Sequence, residues 1–124
     1  MVNNATYLSY FEVGRVEWLR AAGLSYKELE REGYAIIVVE ALVRYRKAAF
    51  FDDELTLRTE LTELGGASLR FEYAVMRGGE VLATGYTRHA GVALATGRPS
   101  RMPEQLLAVV RRAPSNKRLD HPVS

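Results

Sequence analysis

The chain has 124 residues, no cysteine and a formal net charge of +2 at pH 7. That length suits one domain, and 48% apolar content is ordinary for a globular core. The missing thiol excludes disulfides, thiolate metal sites and a cysteine nucleophile, and so small a charge gives no reason to expect nucleic acid. No apolar run approaches the roughly 20 residues that span a bilayer, and the start MVNNATYLSY lacks the segments of a signal peptide. A cytoplasmic protein with neither a membrane nor a nucleic-acid partner is expected.

Asn3 and Asn4 suit a helix cap. Behind them Tyr7, Phe11, Gly14, Trp18 and Ala21 recur at spacings of four and three, which predicts an amphipathic helix of roughly five turns. Gly23 closes it. Gly14 costs helix propensity, about 1 kcal/mol, and makes sense where the helix lies very close to a sheet. Ser25 and Glu28 form a capping box for a short second helix that stops at Gly33.

From Tyr34 the period changes to two. Ile37, Val39, Ala41, Val43 and Tyr45 alternate with Val38, Glu40, Leu42 and Arg44. Phe50 to Asp53 breaks that strand. Leu55, Leu57 and Leu61 mark a second strand, and Leu69, Phe71, Tyr73 and Val75 a third beyond Gly65-Gly66. Gly78-Gly79 signals a hairpin. The fourth strand runs from about Glu80 to Ala95. One of its faces is small (Ala83, Gly85, Thr87, Gly91, Ala93), leaving room for a helix or a ligand. His89 shares that face, and a lone histidine reads first as structural. Pro103 opens a final helix that runs to about Arg112. Residues 113–124 read as a flexible tail behind a single domain of residues 1–112.

This is an α+β layout, a long helix packed on an antiparallel sheet. One helix covers one face of such a sheet. Val38 and Leu42, on the second face of the first strand, leave apolar surface for a second copy to cover, so self-association as a dimer or tetramer is expected.

The run Val2-Asn3-Asn4-Ala5-Thr6-Tyr7-Leu8-Ser9-Tyr10-Phe11-Glu12-Val13-Gly14-Arg15 resembles the second half of the motif D-x-x-G-H-V-N-N-x-x-Y-x-x-Y-F-E-x-x-R. That motif marks the 4-hydroxybenzoyl-CoA thioesterase family of hotdog-fold proteins. Similarity continues through Arg46 to Asp53, Thr84 to Val92, and Thr96-Gly97-Arg98-Pro99 to Glu104. The resemblance implies an acyl-CoA thioesterase that needs no separate cofactor, since coenzyme A belongs to the substrate. It also implies an Asp base or nucleophile, whose counterpart would fall upstream of Met1 together with the first strand of the fold. The sequence therefore reads either as truncated at its start or as a short member that has lost its base. Weak activity, or a non-catalytic acyl-CoA-binding or scaffold role, is expected of these residues alone.

In the resembling enzymes a backbone N–H near Asn4 holds the developing oxyanion, in keeping with the donor-rich end of a helix. Glu12 is the one carboxylate near the start of the helix. It is either a fallback acid or base, or the ion-pair partner of Arg15 three residues on. Asn3 and Tyr7 are candidate substrate contacts, Asn3 also as a cap and Tyr7 also as core. Arg70, Arg88, Arg98 and Arg101 are candidates for the phosphates of coenzyme A, because guanidinium forks suit them. No metal-ligand cluster and no glycine-rich phosphate loop is visible.

Overall fold

The computed structural model describes residues 4–50, 52–112 and 118–123. In chain order the elements are α1 (Asn4–Ala21), α2 (Tyr26–Arg31), β1 (Tyr34–Tyr45), β2 (Leu55–Leu64), β3 (Ser68–Arg77), β4 (Glu80–Ala93), β5 (Arg98–Pro99), α3 (Glu104–Arg112) and β6 (Arg118–Val123). The strands form one antiparallel sheet in the order β1-β4-β3-β2-β6, with β5 on β4.

The 3.6-residue stripe decides how α1 lies. Tyr7, Phe11, Trp18 and Leu19 are buried against the sheet. Phe11 stacks on Tyr73 with centroids 4.1 Å apart, and Trp18 meets Phe71 edge-on at 5.4 Å. Two glycines permit the approach. A Cβ on Gly85 would stand 2.6 Å from Phe11 Cε2, and one on Gly14 would stand 2.7 Å from Leu57 Cδ2. The small face of β4 is thus where the helix rests. Ser25 caps α2 by accepting the N–H of Glu28 at 3.1 Å, one of the two bonds of a capping box.

Three expectations change. Residues 118–123 do not fray. Leu119, His121 and Val123 point inward opposite Thr59, Leu57 and Leu55, and β6 pairs along β2 over six residues. Leu119 and Val123 pack against the core, which is the physical reason the segment orders. Secondly, Val38 and Leu42 do not share a face. A register shift between Val38 and Glu40 inserts one residue into β1, and a bulge of this kind exchanges the faces of all later side chains. Val38 lies opposite His89 on the helix side, whereas Leu42 lies opposite Tyr86 on the other. Thirdly, β5 and β6 bring the strands to six where four were expected.

The core lies between the sheet and its helices. Leu57, Phe71, Tyr73, Val75, Leu82 and Ala83 supply the sheet side, and Met102, Leu106 and Leu107 close one end beside α3. Coverage is uneven. Ile37, Val38 and Val39 on β1 remain exposed.

Candidate functional site

The first turn of α1 begins at Asn4 and contains no acidic residue. The first four N–H groups of a helix have no partner within it, and the helix dipole adds partial positive charge there. A polarised carbonyl suits that end. Asn3 lies outside the described residues.

Tyr7, one turn into the helix, is 1% exposed. Its ring sits 5.2 Å from Tyr45 and 6.1 Å from Tyr10, and burial with Tyr45 close by pushes its hydroxyl pKa up. It is a core residue beneath the helix start. Beside it the β1–β2 connection is clamped to the β3–β4 hairpin. Arg77 donates to Asp53 at 2.8 Å and to Glu80 at 2.7 Å, Asp53 also accepts the Phe50 N–H at 2.7 Å, and Lys47 pairs with Glu80. The backbone bond from Phe50, with Arg77 adding to it, holds the Asp53 carboxyl below its usual range.

Glu12 is exposed on the shoulder of α1, about 100° around the helix from Phe11. It forms no ion pair with Arg15. Arg15 turns inward instead, where its guanidinium donates to the Tyr73 hydroxyl at 3.4 Å and also meets Tyr26. From Tyr73 a chain of short bonds runs through the core: Tyr73 Oη to Thr87 Oγ1 at 2.6 Å, then Thr87 Oγ1 to His89 Nε2 at 2.8 Å. His89 Nδ1 is buried with no partner among the described residues. Burial drives the two titratable ends apart: Tyr73 is pushed up to about 12, and His89 down to about 4 with Arg15 adding to the effect. Sequence reasoning singled out Arg15 and His89 but missed Tyr73, Thr87 and Tyr26 as their partners. The signal was the two-residue spacing of Thr87 and His89, which puts both on the helix face of β4.

The four candidate arginines separate into two groups. Arg70 and Arg88 are directly opposite one another on the face of the sheet away from α1. Arg98 pairs with Ala93 in β5, and the Ser100–Arg101 backbone crosses Gly91 on the helix side. Among the described residues no cluster of three or more His, Asp or Glu could hold a metal, and no helix is long and apolar enough to cross a membrane.

Comparison with known proteins places this architecture. Residues 1–110 match the model of the thioesterase-like superfamily. The chain belongs to that superfamily. The acyl-CoA thioesterase YbgC of Haemophilus influenzae is 34% identical to this thioesterase-like chain over 109 residues, 87% of the chain and 80% of YbgC. The Thermus thermophilus protein TT1821 superposes with a TM-score of 0.83 at 36% identity, covering 90% of this chain and 84% of its own. A DHNA-CoA thioesterase from Staphylococcus aureus has the same TM-score at 22% identity, with 90% and 77% covered, and shares the fold. The α+β hotdog architecture expected from the sequence is therefore that of the superfamily.

Proposed function

We propose that this thioesterase-like chain hydrolyses an acyl-CoA thioester to the free acid and coenzyme A, working as a homo-oligomer in the cytoplasm. Membership of the superfamily supports the reaction class. The observation that carries the site is the start of α1 at Asn4, with no carboxylate in its first turn to compete for the amide donors.

Hydrolysis needs a water at the carbonyl carbon, donors for the oxyanion that forms, and a base to take the proton of the water. The N–H of Asn4 faces the oxyanion, which then collapses and expels the coenzyme A thiolate. Glu12 is the acid–base group on α1, but it cannot serve the same end of its own helix. Eight residues of helix span about 12 Å at 1.5 Å per residue, far beyond a direct or one-water proton transfer of roughly 3 Å per bond. Glu12 of one copy therefore serves the Asn4 amide of another. Exposure of Glu12 and of Val38 fits a surface on the helix side that a second copy covers. Arg98 and Arg101, on the loop that crosses this side, are assigned to the phosphates of coenzyme A. Coenzyme A takes part as substrate, and the reading calls on no cofactor.

A thiol-trapping assay with acetyl-CoA and benzoyl-CoA tests this. Steady thiol release is expected. Coenzyme A binding without thiol release would leave the chain an acyl-CoA-binding protein and overturn the hydrolytic reading.

A further inference from the structure

The face of the sheet away from α1 holds a cavity of about 320 Å³. The register builds it. Arg58, Ala74, Thr84 and Arg44 form one row across β2, β3, β4 and β1. The two central positions are small, so the row is a low floor with an arginine at each end. At roughly 4.8 Å per strand, the end backbones stand about 14 Å apart. The neighbouring row places Tyr86 as a wall, with the Arg70 guanidinium carbon 4.1 Å from its ring centre.

Two features set this trough apart from a solvated sheet face. Like charges stand directly opposite one another: Glu60 faces Glu72, and Arg70 faces Arg88. Such pairs destabilise a sheet. In addition, the Nε atoms of Arg58 and Arg70 are shielded from solvent and lack a hydrogen-bond partner among the described residues. Their nearest carboxylates, on Asp120 at 3.6 Å and Glu72 at 3.7 Å, are too long for one. Three adjacent rows meet here, and the guanidinium groups of Arg44, Arg58 and Arg70 supply the trough with donors for an anion, beside the Glu60–Glu72 pair.

We propose that this trough binds a nucleoside phosphate, with the phosphate between Arg44 and Arg58 and the base stacked on the Tyr86–Arg70 shelf. Guanidinium forks match phosphate oxygens. The aromatic ring and the guanidinium plane offer stacking to any base. The Glu72 carboxylate accepts from an exocyclic amino group. Small-ligand sites run from roughly 300 to 1,000 Å³, so the cavity takes one nucleotide and not a coenzyme with a long arm. It lies on the opposite side of the sheet from α1 and is separate from the proposed thioester site.

Titration calorimetry of the intact chain with ADP, adenosine and inorganic pyrophosphate tests the proposal. ADP binds, and adenosine and pyrophosphate each bind about tenfold more weakly or less, since each lacks one half of the contacts. Arg44→Gln weakens ADP about tenfold. Ala74→Leu, which fills the floor, abolishes binding, with circular dichroism confirming that both variants fold. Failure of the parent chain to bind ADP overturns the proposal, as does binding that neither variant changes. Light scattering that shows an assembly dispersed by Ala74→Leu assigns the face to a second copy and overturns it too. A chain that binds ADP as described but releases no thiol supports this site and overturns the hydrolytic reading alone.

Discussion

Gly14 and Thr59 meet where α1 crosses β2, and the helix backbone rests on the threonine side chain. A methyl group on Gly14 would lie closer to Thr59 Oγ1 than to Leu57 Cδ2, itself only 2.7 Å away. Thr59 is fully buried, its hydroxyl without a partner among the described residues. Gly14→Ala gains about 1 kcal/mol of helix propensity but overpacks a stiff β-branched neighbour at about 1–3 kcal/mol. A net loss of up to about 2 kcal/mol in urea unfolding follows. Thr59→Ala in the same chain should restore most of it. A Gly14→Ala variant more stable than the parent would show that the helix stands further off.

The buried His89 makes stability depend on pH in a defined window. Its folded pKa is about 4, against a usual 6.5. Between those values the unfolded chain binds the proton that the folded chain refuses, so stability falls as pH drops. The contribution is fully present above about 6.5 and is lost as pH falls towards 4, with a slope on the order of 1.4 kcal/mol per pH unit. Asp53 and Glu80, both held below the usual carboxylate range, act at lower pH. Urea midpoints of parent and His89→Leu, taken between about pH 7 and pH 4.5, separate the two. An equal slope in both chains would remove His89 from this account.

A shared site makes a mixing experiment decisive. Asn4→Pro deletes the proposed N–H donor at a position where a helix tolerates proline. Glu12→Gln deletes the proposed base. Each variant alone should lose at least about 100-fold in kcat. In a statistically mixed dimer half the pairs are hybrids with one intact site of two, so activity returns to about a quarter of the parent rate. No recovery on mixing would place both groups in one chain's site or remove one of them from it.

The clamp on the β1–β2 connection acts locally. Arg77→Met breaks the bonds to Asp53 and Glu80 together. Protease cleavage within residues 46–54 should quicken, while the unfolding midpoint moves little, because these pairs are only partly buried and tie down a connection outside the main core. A large midpoint shift with unchanged cleavage would make the clamp part of the global core.

The fold was legible wherever one periodicity held without interruption. Tyr7, Phe11, Gly14 and Trp18 gave α1 and its buried face, and Gly14 even announced the close sheet. The β1 bulge was hidden because Ile36, Ile37, Val38 and Val39 are all apolar, so no polar residue marks the slip. β6 was hidden because its inward row, Leu119, His121 and Val123, has a histidine at its centre and Pro122 beside it. Of the candidate site, the helix start could be read directly. The inward turn of Arg15 could not, since its partner Tyr73 lies far along the chain.

The two borders of the sheet are unlike. β6 is short, carries Arg118 and Asp120, and has in Pro122 a residue with no N–H to offer. β1 is twelve residues long and exposes Ile37, Val38 and Val39. A chain with one receptive border and one blunted border can extend its sheet once. Strand pairing at the sheet's borders is thereby confined to the β1 side.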